Sequence, residues 1–241
     1  KDVPLHGVTL RKHQVRAGNA MIKKKHGVLW AATNSGKTET AIAVIKALDL
    51  PTLFLVKGKD LVLQTYKRFQ KRLGEEEIGL LMSNKWDVRK FTVASADTLA
   101  RRLSPSKIGN NTHARQMAVK KLLSEVKVVI VDECHTAASK GLWNVVRFCE
   151  APYRYGLSGT PFKRGDKQDL KLIGLTGEVC CKITNKEMIE DGVSAPTDIR
   201  FFDISTPDIT KLRDYKDVYD LGVVNNSERN RVICELTEHY Y

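Results

Sequence analysis

Trp30-Ala31-Ala32-Thr33-Asn34-Ser35-Gly36-Lys37-Thr38-Glu39 ends as a phosphate-binding loop ends, yet the early glycine of such a loop is missing. In the pattern G-x-x-x-x-G-K-S/T the first glycine falls at Ala31, and a second common glycine falls at Asn34. The flanks separate a phosphate loop from a surface Gly-Lys-Thr turn, because the loop works only where a strand ends and a helix begins, with free amides facing the ligand. Upstream, Gly27-Val28-Leu29-Trp30-Ala31 is a short apolar run suited to a buried strand over 28–32. Downstream, Ala41, Ile42, Ile45 and Leu48 recur at helical spacing, and Pro51 closes the helix. Asparagine enters the left-handed region at modest cost, so Asn34 is a tolerable replacement, whereas Ala31 fits less well. On this reading the backbone from Ala31 through Ala32, Thr33, Asn34 and Ser35 wraps the phosphates and Gly36 lets it approach closely. Lys37 neutralises charge on the terminal phosphates and the Thr38 hydroxyl ligates Mg²⁺.

The chain has 241 residues, 42% of them hydrophobic, enough for a sizeable core in one large domain. No run approaches the roughly 18 uninterrupted apolar residues of a membrane helix, and Lys-Asp-Val-Pro-Leu-His has no signal-peptide character. The expectation is a cytoplasmic protein without membrane contact, the cytoplasm being that of a host if the protein belongs to a phage. Cys134, Cys149, Cys180, Cys181 and Cys234 show neither a C-x-x-C pair nor repeated ligand spacing with the six histidines, so they read as reduced structural thiols.

Net charge is +12, which favours a polyanionic partner. Most of the excess is local: 16 Lys or Arg against 7 Asp or Glu lie between Lys57 and Lys127, a net of +9.

Apolar runs alternate with helical patterns along the chain. Strands are expected at 28–32, 52–57, 91–95, 127–132 and 153–158, with helices at 37–49, at 59–73, in two stretches after residue 95, and around Leu142 to Cys149. Val128-Val129-Ile130-Val131 is apolar on both faces and suits the middle of a covered parallel sheet, so the fold class is a doubly wound α/β domain. After Phe162 a polar break is expected at Lys163-Arg164-Gly165-Asp166-Lys167. Strands at 179–183 and 199–204 and a short helix from Thr184 to Asp191, ended by Gly192, follow. Residues 205–220 turn charged and less periodic, and an amphipathic helix starts at Ser227.

A second chemical site stands in Val128-Val129-Ile130-Val131-Asp132-Glu133-Cys134-His135. It puts two acids at the carboxyl end of a buried strand, the edge where such sheets bind ligands. Acids there require a metal or a partner. Asp132 suits Mg²⁺, and Glu133 suits proton removal from an attacking water.

With these residues in view, the chain resembles the superfamily 2 helicases and translocases of the DExH type. Gly36-Lys37-Thr38, Asp132-Glu133-Cys134-His135 and Ser158-Gly159-Thr160 are similar to that family's motifs I, II and III, in order. Leu10-Arg11-Lys12-His13-Gln14 resembles the L-R-x-x-Q element of the type III restriction, XPB-like and phage branch-migration groups. The resemblance implies a RecA-like P-loop lobe using ATP and Mg²⁺. It assigns Arg11 and Gln14 to the nucleotide, Lys37, Asp132, Glu133 and His135 to catalysis, and Ser158, Gly159 and Thr160 to coupling.

Phe54-Leu55-Val56-Lys57 and the segment from Val93 to Leu99 look like motifs that hold a nucleic-acid backbone. Lys57, Ser95, Thr98, Arg101 and Arg102 supply donors suited to phosphate oxygens, without an evident base-reading set. The function expected is an ATP-driven DNA helicase or translocase, acting at forks or branches on single-stranded, forked or branched DNA without sequence specificity. An RNA helicase, or a nucleic-acid-binding module with a degenerate nucleotide site, are the alternatives. The expected organisation is a first lobe at 1–204, a linker at 205–226 and the start of a largely missing second lobe at 227–241.

Overall fold

The computed structural model describes residues 4–104, 111–136, 139–162 and 169–240. The chain forms two compact units, Lys1–Ala195 and Pro196–Tyr241. In the first, α1 (Lys12–Lys24), β1 (His26–Ala31), α2 (Lys37–Leu48), β2 (Thr52–Val56) and α3 (Lys59–Leu73) lead into β3 (Ile78–Met82), β4 (Lys85–Asp87) and β5 (Phe91–Ser95). Then come α4 (Ala96–Leu103), α5 (Thr112–Glu125), β6 (Val128–Val131) and a 3-10 turn at Cys134–Thr136. The unit continues with α6 (Lys140–Arg147), β7 (Tyr153–Ser158), α7 (Asp169–Thr176), β8 (Val179–Ile183) and α8 (Asn185–Glu190).

Eight strands make one sheet in the order β4-β3-β5-β2-β6-β7-β1-β8. Every pairing is parallel except that of β3 with β4. The strands are apolar on both faces because both faces are covered. Along β2, Phe54 and Val56 enter one core with Leu29 of β1 and Ile42 and Ile45 of α2, while Leu53 and Leu55 enter the other with Leu99 of α4 and Val145 of α6. Each fully buried side chain of this size contributes about 1.5–3 kcal/mol. The parallel arrangement aligns the carboxyl ends of β1, β2, β6 and β7 along one edge, which positions the site.

The β3–β4 hairpin, α1 and α7 have no counterpart among the elements expected from sequence. The expected strand at 199–204 is corrected: these residues carry no regular structure, with Ile199 69% and Phe201 92% exposed. Their apolar and β-branched composition favours a strand, but the described residues of their unit contain no other strand to pair with. That unit holds α9 (Tyr215–Tyr219), a π-helical turn at Asp220–Val224 and α10 (Ser227–Tyr240). Asn226 organises it, donating to the carbonyls of Ser205 and Gly222 and accepting from the Arg229 amide. The expected break at Lys163 to Lys167 lies outside the described residues. No helix among the described residues is long and apolar enough to cross a membrane.

Candidate nucleotide and nucleic-acid site

The loop after β1 folds as its glycine and asparagine require. Asn34 has φ 66° and Gly36 φ 77°, both left-handed, and α2 begins at Lys37. The left-handed backbone favours glycine at 36, and a Cβ there would stand 2.1 Å from Gln14 Nε2, so any side chain would also have to displace the Gln14 amide. Lys37 Nζ turns back over the loop and donates to the carbonyls of Ala31, at 3.2 Å, and Ala32, at 3.5 Å. The Ser35 hydroxyl is buried with no hydrogen-bond partner among the described residues.

Gln14 lies in the first turn of α1, 5% exposed, where it braces the loop. Its Oε1 accepts from the Arg11 amide at 2.8 Å and its Nε2 donates to the Ser35 carbonyl at 3.2 Å. His13, which sequence reasoning gave no role, joins it. Its Nε2 lies 3.2 Å from the Ser35 carbonyl and its Nδ1 3.2 Å from Asp191 Oδ2. No sequence signal marks His13 or Asp191, because they meet across 178 residues. Arg11, Gln14, Asn34, Gly36, Lys37 and Thr38 line a cavity of about 360 Å³ with Val8, Thr9, Glu39 and Arg68. Its size suits a nucleotide-sized ligand, and its wall of cations, a hydroxyl and loop backbone suits a phosphate chain. Ala31 ends β1 and Ala32, Thr33 and Ser35 belong to the loop, and none of the four lines the cavity.

At the end of β6 the Asp132 amide donates to the Leu55 carbonyl at 2.9 Å, and the carboxylate accepts from the Glu133 amide at 3.0 Å. Burial raises the Asp132 carboxyl above its ordinary value and the Glu133 charge adds to this, while the Glu133 amide, Lys37 and Arg68 oppose it. Glu133 takes φ 47°, unusual for a non-glycine residue, and its side chain is exposed. Strain of this kind clusters at functional sites. His135 Nδ1 lies 3.2 Å from Glu133 Oε2 and 3.1 Å from Ser158 Oγ. The Ser158 hydroxyl in turn accepts from the Thr160 amide, and Trp30 Nε1 donates to the Gly159 carbonyl at 2.9 Å. Ser158, Gly159 and Thr160 are therefore tied to the acid pair through His135 and to β1 through Trp30, a link not foreseen from sequence. Cys134 is packed under Gly156, and burial pushes its thiol up, away from the thiolate form.

The residues expected on nucleic acid divide. Lys57 and Arg101 are exposed, Arg101 with its Nε on the Asp97 carbonyl. Ser95 and Thr98 are buried, the Ser95 hydroxyl accepting from the Thr98 amide as the N-cap of α4. Arg102 donates to the Ser83 carbonyl and lies 4.2 Å from the Trp86 ring centre.

A doubly wound parallel sheet with a phosphate loop after its first strand and an acid pair on the same edge defines a RecA-like core. Residues 7–163 match the family described as "Type III restriction enzyme, res subunit", and the chain belongs to that family. It is 26% identical over 181 residues to the DNA 3'-5' translocase XPB2 of Sulfurisphaera tokodaii, covering 75% of this chain and 37% of that protein. It is 26% identical over 121 residues to the ATP-dependent DNA helicase uvsW of Enterobacteria phage T4, covering 48% of this chain and 24% of that protein. The chain thus spans well under half the length of these curated relatives. The fold is similar to a Sulfolobus solfataricus SWI2/SNF2 ATPase core solved with dsDNA, with TM-score 0.56, 14% identity, and coverage of 73% of this chain and 37% of that one.

Proposed function

We propose that the chain is the nucleotide-binding lobe of an ATP-driven motor that moves on DNA. The observation that carries this reading is the convergence of three motifs at one sheet edge: the Lys37 loop, the acid pair, and Ser158 to Thr160, which bond to His135 beside the acids and to Trp30 of the strand that leads into the loop. In this reading Lys37 leaves the Ala31 and Ala32 carbonyls to meet the terminal phosphates. Thr38 and Asp132 hold Mg²⁺, which would neutralise charge on the phosphate oxygens. Glu133 takes the proton of the attacking water, with His135 orienting its carboxylate. Because the same ring touches Ser158, a change at the phosphate reaches the strand-end motif through one hydrogen bond. Gln14 and Arg11 hold the base side.

Two curated relatives, XPB2 and uvsW, carry names that specify DNA, and a third, the putative ATP-dependent RNA helicase L396 of Acanthamoeba polyphaga mimivirus (26% identical over 155 residues, 62% of this chain and 27% of that protein), specifies RNA; the two DNA names favour DNA as the track, with Lys57, Arg101 and Arg102 on its phosphates. Fork or branch migration is the finer reading. A second lobe would complete the nucleotide site, with 1–204 as the first lobe, 205–226 as linker and 227–241 as the beginning of the second, in the cytoplasm. The test is ATP binding and hydrolysis with single-stranded DNA, forked DNA and RNA as stimulants. Lys37→Ala should abolish ATP binding, and DNA should stimulate turnover more than RNA. Undetectable ATP binding by the unsubstituted protein sinks the motor reading, and stimulation by RNA alone replaces DNA as the track.

A further inference from the structure

Arg68 and Arg72 stand one turn apart on the same side of α3, and the structure treats them differently. Arg72 is fully engaged: Nε lies 3.0 Å from Glu39 Oε2, Nη2 3.3 Å from Glu39 Oε1, and Nη1 donates to the His6 and Gly7 carbonyls. Both side chains of the Arg72–Glu39 pair are only 14% exposed. Glu39 is the acidic residue in the wall of the 360 Å³ cavity, and Arg72 takes up its charge. Arg68 also lines that cavity, with Lys37 and Thr38, but makes no hydrogen bond or ion pair among the described residues. A guanidinium next to a neutralised carboxylate, with its five donors open, is suited to bidentate capture of an incoming phosphate.

Arg68 shares the cavity wall with Lys37 and Thr38, the two residues proposed above for the terminal phosphate and Mg²⁺.

We infer that Arg68, supplied by α3 of this same lobe, contacts the terminal phosphate of the bound nucleoside triphosphate and lets the site distinguish ATP from ADP. This rests on the nucleotide reading proposed above. Arg68 would act in cis, in the bound ground state, before any partner lobe closes.

The experiment compares binding of a non-hydrolysable ATP analogue and of ADP to the 241-residue chain and its Arg68→Gln, Arg68→Lys and Lys37→Ala variants, with affinity for single-stranded DNA measured in parallel. Arg68→Gln should weaken the ATP analogue by about tenfold, the scale of one charge-assisted hydrogen bond, with ADP affinity changing much less. Arg68→Lys should restore part of the selectivity, and melting temperature should be unchanged because Arg68 is exposed. Equal losses for both nucleotides, or an unchanged ratio, overturn the inference while Lys37→Ala still loses both ligands. Loss of DNA affinity with nucleotide selectivity intact also overturns it and moves Arg68 to the nucleic-acid surface. If the unsubstituted chain binds neither nucleotide, the functional reading and this inference fall together.

Discussion

Asp132 and Glu133 are adjacent, yet their surroundings divide the work. Asp132 is held among the ends of buried strands, where its charge is disfavoured by burial first and by Glu133 second. Glu133 points outward from a strained backbone position toward His135. Glu133→Gln should therefore retain ATP while hydrolysis falls by about 10²–10⁴-fold, the usual contribution of a positioned base, in a steady-state phosphate-release assay. Unchanged turnover would show that the proton goes elsewhere. Asp132 makes a prediction of opposite sense for stability. Because its folded value lies above the unfolded one, the folded state keeps a proton that the unfolded chain has already released. Stability linked to this group is greatest below the unfolded value, declines as pH rises through the interval up to the folded value, and stays reduced at neutral pH. Asp132→Asn removes the charge and can still accept from the Glu133 amide. Melting without Mg²⁺ or nucleotide should then be higher in Asp132→Asn at pH 7 and converge with the parent in acid, although hydrolysis is lost. A lower melting temperature at pH 7 would contradict the burial argument.

At the scale of elements, the fold was legible wherever one run of sequence carried its own reason. Val128 to Val131 is buried on both faces as its unbroken apolar run requires, and α2 follows its phosphate loop as Gly36 and Pro51 imply. Ile78 to Met82 was not legible, because a five-residue apolar run after Glu75-Glu76-Glu77 becomes a strand only through pairing with β5 and β4. Residues 199–204 erred the other way, since β-propensity without a partner edge gives no strand. In the site, Gly36, Lys37, Asp132 and Ser158 could be found from local pattern. Arg68, His13 and Trp30 could not, because their roles arise from α3, α1 and β1 converging in space. Gly27 shows how tightly β1 is gripped by its neighbour: it has φ 148°, and a Cβ there would lie 2.6 Å from Cys180 Cβ and 2.8 Å from the Glu178 carbonyl. Gly27→Ala should cost about 1–3 kcal/mol, as overpacking does, and disturb β8 before the rest of the sheet. Chemical denaturation would measure the loss, and hydrogen exchange would show whether the β8 amides open first. An unchanged denaturation midpoint would mean that β8 is less firmly seated than its register with β1 suggests.

For the whole molecule, positive charge is not confined to the cavity around Lys37. The chain carries +12, and Lys57 and Arg101 are exposed outside the cavity that Lys37 and Arg68 line. On the proposed reading, nucleotide and DNA would be held by separate cations of this chain. Ser95 and Thr98 are spent on capping and burial at α4, so a track-holding surface of the proposed kind would rely on ammonium and guanidinium groups more than on hydroxyls. Such a surface holds by displacing counterions and reads no bases. Affinity for single-stranded DNA should accordingly vary little between sequences of equal length. It should fall linearly with the logarithm of salt, with each phosphate contact contributing roughly 0.7 to the slope. Replacing Lys57 and Arg101 by Gln should reduce the slope by about 1.4 while leaving ATP-analogue affinity untouched, because neither residue lines the cavity. Fluorescence anisotropy of labelled oligonucleotides between low and physiological salt would measure it. A slope unaffected by the double replacement would move the track to another face of the sheet, and a strong preference for one base sequence would require contacts that these side chains do not provide.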